Sequence, residues 1–466
     1  MDYFLAIDIG ASSGRHILGH FKDGKIRLEE IYRFENSIKI KDNKLCWDLK
    51  AIFDNILNGL KKCKELNKIP KSLGIDTWGV DFILLDSENK IIGDSVSYRD
   101  SRTQGMDTEV QKYISDSELY AKTGIQKQIF NTIYQLMAIK TQNPEHINKA
   151  ESFLMIPDYL NFLFTGVKTN EYTNATTTGL VNAKSKDWDR GIINCLGFPK
   201  KLFVGLSMPK TIVGELKEDI KNKVGFNCQV ILPATHDTGS AFLAVPARDE
   251  NAVFISSGTW SLIGVENSVP ITNEESRRLN FTNEGGFDYR FRYLKNIMGL
   301  WIIQSIRKDL GKKYSFAELE EMAEKSSFDS IIDVNDQRFL SPHNMIDAVK
   351  SYLTDTRKPT PANLGELMQC VYKSLATSYN DSIQSLKKIT KRDFTSINIV
   401  GGGSRDKYLN KLTAKITGLP VFAGPGEGTA LGNIIVQMMA FGVMPDLKTA
   451  RESIVRSFDI TKYDPN

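Results

Sequence analysis

Cysteine is scarce in this chain of 466 residues: there are five, at Cys46, Cys63, Cys195, Cys228 and Cys370. They are scattered, form no close pair and are odd in number, which fits neither a zinc-ligand spacing nor a disulfide framework. Reduced thiols in a cytoplasmic protein are expected. Long hydrophobic runs are missing too. No stretch approaches the ~18 apolar residues that span a bilayer. The start, Met1-Asp2-Tyr3, has no basic region of the kind a secretion signal needs, and its apolar run is broken by Asp8. Membrane insertion and secretion are therefore not expected. An excess of one charge is also absent. The 60 Lys and Arg against 56 Asp and Glu leave a net +4, which is no basic footprint for nucleic acid. No short-period repeat argues for a solenoid, and His16, His20, His146 and His343 make no metal-ligand spacing with one another.

What is present is a core. Hydrophobic residues make up 41% and charged residues 25%, which is ordinary for a globular protein and excludes disorder as the main state. At roughly 100–200 residues per domain, the length predicts two or three domains.

The first residues read as strands at Tyr3–Ile9, Arg15–Phe21 and Ile26–Phe34, the last two joined by the Asp23-Gly24 hairpin turn. Leu49–Leu66 has helical spacing, and Ser72–Thr77 and Phe82–Leu85 read as short strands. Thr173–Gly179 reads as a loop. A second strand–turn–strand pattern follows at Ala252–Ser256 and Ser261–Val265, just after the polar stretch from Arg248 to Asn251, a natural boundary. Pro361–Ile389 predicts a long amphipathic helix. A strand at Ile397–Val400, the triple glycine Gly401–Gly403, a strand at Val421–Ala423 and a small-residue helix near Ala430–Ala440 complete the pattern.

Five segments carry chemistry. The turn Gly10-Ala11-Ser12-Ser13-Gly14 can bring backbone amides and hydroxyls to phosphate oxygens, with Arg15 to neutralise charge and Asp8 able to hold Mg²⁺ through water. A plain hairpin turn is the competing reading. No Gly-Lys-Ser/Thr follows, so it is not a Walker A loop, and a strand rather than a helix follows, so it is not a dinucleotide fingerprint. His236-Asp237-Thr238 stands at a strand-to-helix junction, where an Asp can accept a proton from a substrate hydroxyl; local sequence alone favours a helix N-cap. Ser257-Gly258-Thr259 is a second hydroxyl-rich turn, and Gly401–Gly403 allows close approach of a planar ligand such as adenine. Trp78-Gly79-Val80-Asp81 joins two strands and could shape a sugar pocket, or simply pack a tryptophan.

Taken in order, these segments resemble the FGGY carbohydrate kinases. The resemblance is carried by Asp8–Arg15, Gly74–Asp81, Tyr98–Thr103, Glu171–Thr178, Ser256–Trp260 with Asn283–Gly286 and Lys295–Trp301, and Val400–Gly403, spread over essentially the whole chain. It implies an α/β protein of two ribonuclease-H-like domains, of the actin and hexokinase ATPase type, around a central cleft. The N-terminal domain, 1–248, would bind sugar and carry the phosphate loop; the C-terminal domain, 249–466, would bind nucleotide. The implied partners are ATP, Mg²⁺ and a small-molecule ketose, with no nucleic acid and no membrane. Ala11, Ser12, Ser13, Gly14 and Arg15 would line the ATP phosphates, and Thr259, Gln304 and Gly402 would contact the nucleotide. Gly79, His236, Asp237, Thr238 and Asn296 would contact the ketose, with Asp237 as proton acceptor. A helix N-terminus also holds a base in place, so the cap and base readings of Asp237 are compatible. Three departures from the pattern stand out: Gly239 where Ala is expected, Gly424-Pro425-Gly426-Glu427-Gly428, richer in glycine than expected, and Ser404 where Cys is familiar. An actin-like ATP-driven switch is the reading from another class.

Overall fold

The protein is described here by a computed structural model covering residues 1–247 and 249–466; Arg248, in the expected boundary stretch, lies outside the described residues. The chain forms two compact units. The first comprises Met1–Ala244, Glu266–Tyr293 and Thr429–Ser457; the second comprises Val245–Val265, Leu294–Gly428 and Phe458–Asn466.

The first unit is built on a six-stranded sheet. Its strands are β1 (Tyr3–Ile9), β2 (Ser13–Lys22), β3 (Lys25–Glu35), β4 (Pro70–Thr77), β5 (Ile212–Glu215) and β6 (Gln229–Ile231), in the order β5-β6-β4-β1-β2-β3. β1, β2 and β3 are antiparallel, whereas β4 and β6 join in parallel. β1 is buried from Phe4 to Ile9, the signature of a strand covered on both faces. Asp23 and Gly24 both adopt positive φ, as a primed two-residue hairpin turn requires. Helix α1 (Leu49–Glu65) starts where Asp48 accepts a 2.9 Å bond from the Ala51 amide. Its Ile52, Ile56, Leu60 and Cys63 pack in one core with Leu5, Ile7, Leu73 and Ile75. Helix Gly428–Ala440 returns to this unit near the end of the chain: Gln437 Nε2 donates to Leu5 O at 2.9 Å and Asn433 Nδ2 to Gly74 O at 3.0 Å. Gly19 and Gly74 leave room for it; a Cβ at Gly19 would stand 2.7 Å from Ile434, and one at Gly74 2.5 Å from Asn433.

The expected loop Thr173–Gly179 is instead a helical turn, Tyr172–Ala175, running into a 3₁₀ turn, Thr176–Thr178. Buried Glu171 caps it through the Thr173 amide (2.8 Å) and the Asn174 amide (3.2 Å). Thr176, Thr177 and Thr178 turn their hydroxyls back onto carbonyls three residues earlier, at 2.6–2.7 Å.

The second unit repeats the arrangement. β7 (Ala252–Ser257) pairs antiparallel with β8 (Trp260–Asn267) and parallel with β9 (Ser396–Val400). β10 (Val421–Ala423) adds in parallel and β11 (Thr461–Tyr463) antiparallel. The long helix α2 (Leu364–Thr390) buries Leu367, Val371, Leu375, Tyr379, Ile383 and Leu386, the predicted stripe. The cysteines are free, and Cys46, Cys63, Cys228 and Cys370 are buried.

Candidate active site

In the first unit the turn between β1 and β2 is pinned by backbone bonds: Gly10 N to Ser13 O at 2.9 Å and Asn36 N to Ser12 O at 3.0 Å. Ala11 and Ser13 are half-buried and Ser12 is exposed. Gly14 is glycine for packing, since a Cβ there would stand 2.1 Å from the Phe34 ring. Asp8 and Arg15 face each other across the β1–β2 register and form an ion pair of 2.7 Å. On the other side of β1, Asp8 is in register with Asp76 of β4. Asp76 is fully buried; Asn433 Nδ2 donates to one of its oxygens at 2.5 Å, and the other has no hydrogen-bond partner. Burial first, then the charge of Asp8, holds the Asp76 carboxyl well above the usual carboxylate range.

The chain leaving β6 runs alongside the end of β4, with Thr77 N donating to Thr235 O at 2.9 Å and Thr77 bridged to His236. Helix α3 (Asp237–Leu243) begins here, with His236 at its N-cap position and Asp237 as its first residue. Asp237 Oδ1 accepts from the Thr238 amide at 2.5 Å. Burial pushes its pKa up, His236 opposes that, and Asp8 adds to it. Its environment thus brings a carboxylate toward the range where it can exchange a proton with a hydroxyl. Gly79 lies beside His236: a Cβ on it would stand 3.3 Å from His236 Nε2 and 3.2 Å from Thr177. The next residue, Val80, has φ 67°, an outlier for a β-branched residue that costs about 1–3 kcal/mol. It is held by the Thr177 hydroxyl on its amide (3.1 Å) and by Thr132 Oγ1 on its carbonyl (2.5 Å). Asp81, buried, collects Trp47 Nε1 (2.7 Å), Trp78 Nε1 (2.9 Å), Gln135 Nε2 (3.0 Å) and the Tyr98 amide (3.1 Å). Trp78 therefore packs in the core, its ring tilted 37° against that of Trp47 with centroids 4.1 Å apart.

Sequence reasoning missed the partners of this cluster. Arg292 is 1% exposed. It donates to Thr238 Oγ1 (2.8 Å) and Gly285 O (3.0 Å), and pairs with Glu284 at 3.0 Å. Burial alone would raise the Glu284 carboxyl, but Arg292 and His236 outweigh it and hold its pKa down. Glu171 accepts from Thr235 N and Oγ1 at 3.0 and 2.9 Å, fixing the approach to Asp237. Glu171 and Glu284 both lie in segments that carry the family resemblance; Arg292 had no signal beyond being a charge in an apolar strand. Gly239 has a local reason: a Cβ there would approach Ala234 Cβ to 3.1 Å.

The second unit brings Ser257–Thr259 together with the triple glycine. A Cβ at Gly401 would meet Ser257 O at 2.8 Å, and one at Gly403 would meet Ser257 Oγ at 2.0 Å. Thr259 is exposed, and its carbonyl accepts from the Gly299 and Trp301 amides at 3.2 and 3.1 Å. Gln304 is half-buried in the helix Trp301–Asp309 that starts there. Gly402 is exposed with open space around it. Asn296 is on the strand Phe291–Met298, in the part belonging to the second unit. Ala11–Arg15, Gly79, His236, Asp237 and Thr238 thus belong to one unit, and Thr259, Gln304, Gly402 and Asn296 to the other.

Residues 3–244 match the N-terminal domain of the FGGY family of carbohydrate kinases and residues 253–441 match its C-terminal domain. The chain belongs to this family, and is a phosphotransferase with an alcohol group as acceptor. Within the family it is similar to rhamnulokinases. It is 52% identical over 459 residues to the Rhamnulokinase of Oceanobacillus iheyensis, covering 98% of this chain and 97% of that one. It is also 52% identical over 463 residues to the Rhamnulokinase of Halalkalibacterium halodurans, covering 99% of each. In fold it matches the ligand-bound xylulose kinase of Lactobacillus acidophilus with a TM-score of 0.83 at 18% identity, covering 100% of this chain and 94% of that one. The mixed α/β two-domain fold is that of these kinases. No helix among the described residues is long and apolar enough to cross a membrane.

Proposed function

We propose that the protein transfers the γ-phosphoryl group of ATP to the C1 hydroxyl of L-rhamnulose, giving ADP and L-rhamnulose 1-phosphate, in the cytoplasmic breakdown of L-rhamnose. The observation that carries the reading is the half-buried Asp237 carboxylate at a helix start, beside His236 and Gly79, in a chain 52% identical to rhamnulokinases. Asp237 accepts the C1 hydroxyl proton as the phosphoryl group is transferred. Gly79, His236, Thr238 and Asn296 hold the ketose. Ala11, Ser12, Ser13, Gly14 and Arg15 hold the phosphates, and Thr259, Gln304 and Gly402 hold the nucleotide. Residues 1–248 then serve as the sugar-binding domain and 249–466 as the nucleotide-binding domain. Positioning and electrostatics supply most of the rate.

Mg²⁺ suits the acidic ends of β1 and β4, where Asp76 keeps a buried oxygen without a partner and Asp8 is in register beside it. Among the described residues no group of three or more His, Cys, Asp or Glu is placed to hold a metal ion. Asp8 and Asp76 would be the residues that hold the cation, which by its chemistry keeps much of its hydration. When bound, it offsets phosphate charge.

The test is a coupled ADP-release assay over a panel of ketoses. L-rhamnulose is expected to give the highest kcat/KM. Preference for another ketose, such as L-fuculose, would overturn the substrate assignment. Sugar-independent ATP hydrolysis with nucleotide-dependent polymerisation would overturn the kinase reading in favour of an actin-like switch.

A further inference from the structure

We infer that the buried ion pair Arg292–Glu284 is the positioning device for His236 and Thr238, fixing which edge of the imidazole meets the sugar. The inference rests on the ketose-binding role proposed above for those two residues.

A guanidinium taken out of water is costly unless its donors are satisfied. Arg292 is among the largest fully buried side chains of the protein. Its donors go to few places. Nη1 donates to Thr238 Oγ1 at 2.8 Å and is ion-paired with Glu284 Oε2 at 3.0 Å, Nε donates to Gly285 O at 3.0 Å, and Nη2 stands 3.2 Å from His236 Nδ1. Two of these four partners are the residues flanking Asp237. Glu284 Oε2 approaches the same Nδ1, at 3.3 Å. The ion pair therefore occupies the Nδ1 edge of the ring. Nε2 faces Gly79, where the missing Cβ leaves room, with Thr238 Oγ1 at 3.2 Å and Asp237 Oδ1 at 3.6 Å. All of these residues belong to the first unit. A lysine could supply the charge but not a planar fork reaching Thr238, Glu284 and His236 together.

The experiment uses the full-length enzyme with Arg292→Lys and Glu284→Gln, assayed with the best ketose of the panel and by NMR of ring-¹⁵N-labelled histidine. Misplacing a binding group costs up to about 10²-fold. Both variants are expected to raise the ketose KM at least about tenfold while leaving the apparent KM for ATP unchanged. Both are expected to move the His236 ring signals, assigned with His236→Asn, and to leave those of His20, His146 and His343 in place. A folded variant with unchanged ketose KM, or with unmoved His236 signals, would overturn the inference. So would failure of both variants to fold, which would make the pair a purely structural one. If the wild-type enzyme releases no ADP with any ketose, the substrate reading fails by itself, while the His236 signals still decide the positioning role.

Discussion

Asp76 and Asn433 are 357 positions apart in the chain and share a 2.5 Å hydrogen bond in the interior of the first unit. The bond belongs to a buried ladder of amides. Gln437 donates to Asn433 Oδ1 at 2.7 Å and accepts from Ser72 Oγ at 2.7 Å. Removing one rung strands a buried acceptor, which costs about 1–3 kcal/mol and more where the partner is charged. Asn433→Leu is therefore expected to lower the urea midpoint with an unchanged m-value. A midpoint equal to wild type would show that the ladder adds nothing.

Asp237→Asn is expected to keep ketose binding and lose kcat by at least ~10²-fold, the low end for a general base. The coupled assay gives both numbers. Because burial raises the Asp237 pKa, the base is protonated at a higher pH than an ordinary carboxylate. Activity should therefore fall on the acid side as pH drops through that raised value. Near-normal turnover in the variant would end the assignment.

Gly402 and Gly403 are neighbours with opposite surroundings. A Cβ at Gly402 meets nothing within 4 Å, whereas one at Gly403 would stand 2.0 Å from Ser257 Oγ. Gly402→Ala should fold normally and raise the apparent KM for ATP alone, as should Thr259→Ala; Gly403→Ala should lower stability as well. If Gly402→Ala left the KM for ATP untouched, that glycine would not face the nucleotide.

His16 is fully buried against Gly59, with Nε2 bonded to Ile56 O at 3.2 Å. Burial lowers its pKa from 6.5 to about 4. The folded state thus binds this proton less readily than the unfolded state. The stability linked to it is whole above pH 6.5 and is lost as pH falls toward 4, by about 3 kcal/mol in all. Urea midpoints measured across that window should fall more steeply for wild type than for His16→Leu. Parallel curves would mean that the proton enters without unfolding.

The strands of both units were readable because covered strands are apolar throughout and the Asp23-Gly24 turn has one backbone solution. Thr173–Gly179 was misread for a local reason. Runs of β-branched residues disfavour helix, and the compensation comes from hydroxyls folding back onto carbonyls and from Glu171, an unusual cap. Asp8, Gly79 and Asp237 were legible as short motifs at strand ends. Arg292 was not, because its meaning lies in Thr238, 54 positions away. The inclusion of 266–293 and 429–457 in the first unit was equally silent, since contacts between distant segments leave no local pattern.

The closing segment 429–457 has a bearing on biosynthesis. The sheet that carries Asp8 and Asp76 emerges from the ribosome early, yet the side chains that satisfy Ser72, Asp76 and the Leu5 carbonyl are made last. A chain cut short before residue 429 is therefore not a sugar-binding half awaiting its partner. It is a sheet with an open seam, marked for chaperones and proteases rather than for catalysis.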